Sequence, residues 1–146
     1  MSVNSEVRPI CDAELRRNYI LASALFHTQI SADQIRANCF RVLQHALMAA
    51  GLWDQDLEAR RSEAFHDAQD FPVLRLWYET LIDLTRQEPA SERLLEGAGN
   101  LAGRAGAYFT ACWLTPAGRR VAEKLLAEHP EWRPKLMRQD SSQPLP

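Results

Sequence analysis

Apolar residues recur at helical spacing along most of the chain. From Asp12, a plausible N-cap, Leu15, Tyr19, Ala22 and Phe26 fall on one stripe at intervals of four, three and four. Ser31-Ala32-Asp33-Gln34 then fits a capping box, with Ile30 and Ile35 at the two staple positions around it. The helix it opens carries an apolar stripe of Ile35, Cys39, Val42, Ala46 and Ala49, widened by Leu43 and Leu47, and Gly51 supplies a left-handed cap. Leu52-Trp53 is expected to fold over that helix end. Asp54 or Asp56 starts a third helix reaching about Gln69, with Leu57, Ala64, Phe65 and Ala68 inward. Pro72 suits the first turn of a fourth, where Val73, Leu76, Trp77, Thr80, Leu81 and Leu84 keep the strongest period in the chain. Pro89-Ala90-Ser91 stops that run and predicts a short helical turn over residues 92–96.

Residues 94–114 break the style of their neighbours. They carry only Glu96 and Arg104 as charges and include Gly97, Gly99, Gly103 and Gly106. Glycine inside a helix costs about 0.5–1 kcal/mol relative to alanine, so such a cluster implies a turn, a close contact or a ligand. Gly97-Ala98-Gly99-Asn100 reads as a turn, with Asn100 capping a helix over residues 101–113. Leu101, Ala105, Tyr108 and Cys112 line one side of that helix; Gly103, Gly106 and Thr110 lie roughly opposite. This flat face, together with Gly99, is the candidate interaction surface, suited to a protein partner or to a second copy of the chain. Thr115-Pro116 opens a last helix, buried through Val121, Leu125 and Leu126, which ends before Pro130; Trp132 and Leu136 dock a final turn. The expectation is an all-α domain, a compact bundle or orthogonal array of five to six helices over residues 12–138 with helix 101–113 central. Residues 1–11 and 139–146 read as loose tails.

At 146 residues the chain is long enough for one core without disulfides or metal. Its 46% hydrophobic and 25% charged residues are typical of globular proteins and argue against global disorder. A net charge of −2 disfavours a dominant electrostatic role at nucleic acid or membrane. The charge is uneven, however. Residues 1–102 carry 10 Lys+Arg against 15 Asp+Glu, and residues 103–146 carry 7 against 4. Cys11, Cys39 and Cys112 form no C-x-x-C pair, and no secretory signal precedes them, so reduced thiols in a cytoplasmic protein are expected. No stretch reads as a bilayer span.

The chemistry-bearing patterns are sparse. Glu63-x-x-His66 has the spacing of carboxylate di-iron bundles, but His27, His45 and His129 lack a matching Glu, and a solvated helix face is the better reading. The histidines and cysteines show no zinc-finger spacing. A Cys-His nucleophile built on Cys39 or Cys112 is disfavoured because Cys39 lies on an apolar stripe. Gly97-x-Gly99-x-x-x-Gly103 follows no evident strand and precedes no Lys-Ser/Thr, so a phosphate loop is disfavoured too. No catalytic residue, metal or cofactor is therefore assigned.

Leu114-Thr115-Pro116-Ala117-Gly118-Arg119-Arg120 resembles the segment that opens the last helix of many winged-helix transcription regulators, where a wing strand ends in Leu-Thr and leads into a helix. The resemblance spans fewer than ten residues. It implies a nucleic-acid partner, with Arg104, Arg119, Arg120 and Lys124 on phosphates, and the alternation in Tyr108-Phe109-Thr110 suits a wing strand. The reader helix would be residues 72–86, yet that segment offers mainly Arg75 and Arg86 to base edges. The first-ranked expectation is thus a non-enzymatic interaction or regulatory module of bacterial type. A winged-helix-like DNA-binding regulator comes second, and a ligand-binding or enzymatic helical domain around Trp77, Tyr108 and Trp113 third.

Overall fold

The computed structural model describes residues 12–29, 37–98 and 111–136. The chain is predominantly helical, as its periodicity predicts. In chain order the elements are α1 (Ala13–Gln29), β1 (Ala37–Asn38), α2 (Cys39–Ala50), α3 (Gln55–Ala59), α4 (Arg61–His66), α5 (Pro72–Leu84), β2 (Leu95–Ala98), β3 (Ala111–Leu114) and α6 (Pro116–Glu128). Single 3-10 turns occupy Ala68–Asp70, Ala90–Glu92 and Pro130–Trp132.

The centre of the fold is α1. Tyr19 through Phe26 are all buried, and the helix packs against α2, α5, α6 and β3. A helix covered on several sides needs apolar or small residues all round, which Ile20, Leu21, Ala22 and Ala24 supply. Its buried polar side chains, Arg16 and Ser23, are satisfied internally. Ser23 Oγ donates to the Val42 carbonyl at 2.7 Å, and Arg16 Nε donates to Thr80 Oγ1 at 2.9 Å. Asp12 caps it as expected, its Oδ1 accepting from the amides of Glu14 and Leu15.

Other boundaries also follow the sequence signals. Gly51 adopts φ +79°, the Gly51 amide donates to Met48 and the Leu52 amide to Leu47, which is the double closure of a left-handed C-cap. Asp54 caps α3 through the Leu57 amide, Pro72 sits in the first turn of α5, and Thr115 caps α6. Trp132 and Leu136 are buried, Trp132 against Tyr19 with ring centroids 4.4 Å apart.

Four expectations are corrected. The second helix begins at Cys39, because Ala37 and Asn38 pair as a strand with Cys112 and Ala111; Ser31, Gln34 and the rest of the capping box lie outside the described residues. The third helix is broken into α3, α4 and a 3-10 turn, and the break turns Phe65 outward to 37% exposure instead of inward. The helical turn predicted over residues 92–96 and the turn predicted to begin at Gly97 give way to β2 over Leu95–Ala98, while Gly99 and Asn100 lie outside the described residues. The helix predicted over 101–113 is not formed at its described end, where Ala111–Leu114 are a strand; residues 101–110 lie outside the described residues, and among the described elements the central position belongs to α1. Hydrogen bonding explains the last change. β3 is the middle strand of an antiparallel sheet ordered β1-β3-β2, with Leu95 opposite Leu114 and Gly97 opposite Cys112. Pairing on both edges satisfies its backbone without helix formation.

Candidate functional site

Two places concentrate the features that a binding role requires. The first is the junction of the β2–β3 pair with α6. Thr115 organises it. Its Oγ1 donates to the Arg93 carbonyl at 2.6 Å and accepts from the Gly118 amide at 3.0 Å, while its own amide donates to the Leu94 carbonyl. One side chain thus caps α6 and ties the helix to the chain entering β2. Pro116 fixes the first turn, and Gly118 is buried against the Leu94 backbone. Immediately beyond, α6 carries Arg119, which is half-buried, and Arg120 and Lys124, which are exposed. Arg120 and Lys124 are four residues apart and so share a helix face.

Before β2, across the 3-10 turn Ala90–Glu92, lies α5. It buries Leu74, Trp77, Tyr78, Thr80, Leu81 and Leu84. Besides Pro72 at its start, its exposed positions are Arg75, Glu79 and Asp83, followed by Arg86 past its end. That surface alternates in sign and offers no continuous basic stripe.

The second place is a groove of about 530 Å³ between α2 and the α3–α4 pair, lined by Phe40, Arg41, Glu58, Arg61, Ser62 and Phe65. Phe40 meets Phe65 edge to face at 5.3 Å and Trp53 at 6.2 Å. Trp53 Nε1 donates to Glu58 Oε1 at 2.7 Å, so that carboxylate is already engaged. Arg61 Nε is shielded from solvent and has no hydrogen-bond acceptor among the described residues. A second depression of about 330 Å³ adjoins Arg60 and Glu63, whose charges satisfy one another at 3.1 Å. Arg60 accordingly holds the Glu63 carboxyl below its ordinary range.

Several sequence-derived candidates find their places here. Gly99, Gly103, Gly106, Thr110 and Arg104 lie outside the described residues, as do Tyr108 and Cys11. Arg119, Arg120 and Lys124 sit together on α6. Trp77 is fully buried in the core, and Trp113 is half-buried on β3. Glu63 is engaged by Arg60, and no group of three His, Cys, Asp or Glu side chains suited to a metal occurs among the described residues. Cys39 and Cys112 are buried free thiols in mutual contact. The Cys112 thiol and then burial push the Cys39 thiol well above its ordinary pKa, the opposite of what a nucleophile requires.

The groove is not legible in the hydrophobic pattern of the chain. Its signal was the break between α3 and α4, which rotates Phe65 off the buried stripe; a continuous helical phase conceals it. Among the described residues no helix is long and apolar enough to cross a membrane. No protein-family model, curated protein or solved structure matches the chain.

Proposed function

We propose that this chain is a non-enzymatic, winged-helix-like regulatory module that contacts the backbone of duplex nucleic acid. The observation that carries the reading is the path from β3 through Leu114-Thr115-Pro116 into α6, preceded by an antiparallel partner strand and by α5. That is the strand-to-helix passage the seven-residue resemblance implies. It ranks above the interaction face on residues 101–113 because the described end of that segment, Ala111–Trp113, is strand.

Arg119, Arg120 and Lys124 supply phosphate contacts, joined by Arg104 from the sequence between β2 and β3. Phosphate contacts position a protein on a duplex without reading its sequence. Base readout through α5 is weak in this scheme, since Glu79 and Asp83 flank the few donors that Arg75 and Arg86 offer. Affinity is therefore expected in the non-specific range of roughly 10⁻⁴–10⁻⁶ M at physiological salt.

Fluorescence anisotropy of a labelled duplex, titrated with the full chain between about 50 and 200 mM salt, tests the reading. The expected result is binding that weakens with salt. Replacing Arg119, Arg120 and Lys124 together with alanine should lower the slope of log K against log salt by roughly 0.9 for each phosphate left without its cation. Salt-insensitive binding, or a triple variant that binds like the parent, overturns the proposal in favour of a protein partner.

A further inference from the structure

We propose that the groove between α2 and the α3–α4 pair is a binding site for a small aromatic monocarboxylate. This site is separate from the residues assigned to nucleic acid, so it stands or falls independently of that reading. Three observations converge on it.

The first is an unpartnered donor on a half-buried arginine. Arg61 Nε is shielded from water and has no acceptor among the described residues, although an arginine always carries its proton and its positive charge. A shielded guanidinium N–H without an acceptor is costly, and a carboxylate matches its fork geometry. Arg41 on α2 lines the same groove. Second, the apolar wall is aromatic. Phe65 is the exposed large hydrophobic residue of the described chain, and it stands edge to face against Phe40. A planar ring can extend that edge-to-face array. The third is capacity. A volume of about 530 Å³ falls in the range of small-molecule sites, roughly 300–1,000 Å³, and fits a fused ring with one acid group better than an extended acidic segment.

Glu58 narrows the ligand class further. It lines the groove with one oxygen bound by Trp53, so a multiply charged phosphate would meet a fixed carboxylate where a single carboxylate needs only the arginine side. The occupant is therefore a monoanion with an aromatic body.

The test needs no knowledge of a natural ligand. The full chain is titrated by calorimetry with 2-naphthoate and with its neutral isostere 2-naphthamide, and the two are compared on the unaltered protein. Naphthoate should bind with a sub-millimolar Kd, and the amide at least about tenfold more weakly. Arg61→Gln should remove this preference for the acid while leaving the circular dichroism spectrum unchanged. Phe65→Ala should weaken both compounds alike. Equal affinity for acid and amide overturns the proposal. So does an unaffected Arg61→Gln variant, or absence of naphthoate binding up to about 10 mM. An Arg61-dependent acidic peptide that binds when naphthoate does not would assign the groove to a protein partner and equally overturn it.

Discussion

The backbone of Leu94 passes directly against Gly118. A methyl group built on Gly118 would lie 2.8 Å from the Leu94 carbonyl carbon, closer still to its oxygen, and 3.2 Å from Leu114 Cδ2. The chain entering β2 therefore rests on the first turn of α6, and only glycine leaves room for it. Gly118→Ala decides between two opposite effects. Helix propensity alone favours alanine by about 1 kcal/mol. Overfilling a contact with backbone, which cannot rotate aside, costs about 1–3 kcal/mol or more. We expect net destabilisation of about 2 kcal/mol, measured by urea denaturation. A variant more stable than the parent would show that Leu94 can move away.

Thr115 holds the same junction by hydrogen bonds rather than by shape. Thr115→Ala removes the acceptor for the Gly118 amide and the donor to the Arg93 carbonyl. Losing a helix cap costs about 1 kcal/mol and losing a further hydrogen bond about as much, so a total near 2 kcal/mol is expected. Thr115→Ser keeps both hydroxyl roles and should stay within about 0.5 kcal/mol of the parent. Equal losses in the two variants would mean that the methyl group, not the hydroxyl, matters.

These residues also show what was legible in the sequence. Caps and turn residues act over a few positions, so Asp12, Gly51, Asp54, Pro72 and Thr115 mark their helix ends correctly. Strands β1 and β3 are another matter. Each is stabilised by a partner far away in sequence, Ala37 by Cys112 across the sheet, and nothing local in a two- or four-residue strand announces that pairing. The glycine cluster at residues 97–106 predicts a turn, a close contact or a ligand, but Gly103 and Gly106 lie outside the described residues. The structure shows a close backbone approach at Gly118, an isolated glycine inside a helix, with Leu94 far away in sequence. The groove was hidden for a related reason: its walls come from α2, α3 and α4, and only their packing brings Phe40 and Phe65 together.

The thiols of Cys39 and Cys112 predict a particular alkaline behaviour. Contact with Cys112, then burial, holds the Cys39 thiol protonated well above its ordinary pKa of about 8.5. The sign follows directly. Below that value the thiol is neutral in both folded and unfolded chains, and the full stability is present. As pH rises past it, the unfolded thiol ionises while the folded one does not, and stability falls by up to about 1.4 kcal/mol per pH unit. The difference in unfolding free energy between the parent and Cys39→Ala should therefore shrink between about pH 8 and 10. A difference constant over that window would contradict the buried, protonated thiol.

Gln44 offers the sharpest test of the core. It lies on α2 with 1% of its surface exposed, between Leu43 and His45, and neither its amide nitrogen nor its amide oxygen has a hydrogen-bond partner among the described residues. Trp77 Nε1 is likewise without an acceptor among them. Native interiors satisfy nearly all such atoms, so an unmet amide is a cost carried by the fold. Methionine has nearly the length of glutamine, a similar helix propensity and no polar atom that must be desolvated. Gln44→Met should therefore raise stability by about 1–3 kcal/mol, read as a higher urea midpoint with an unchanged slope. The opposite result is equally informative. If Gln44→Met lowers stability, the amide holds a buried polar contact that α2 is organised around. Gln44→Glu then separates the cases: an amide tolerant of polarity accepts the acid at low pH and loses stability as the carboxyl ionises, whereas an apolar site rejects it at every pH.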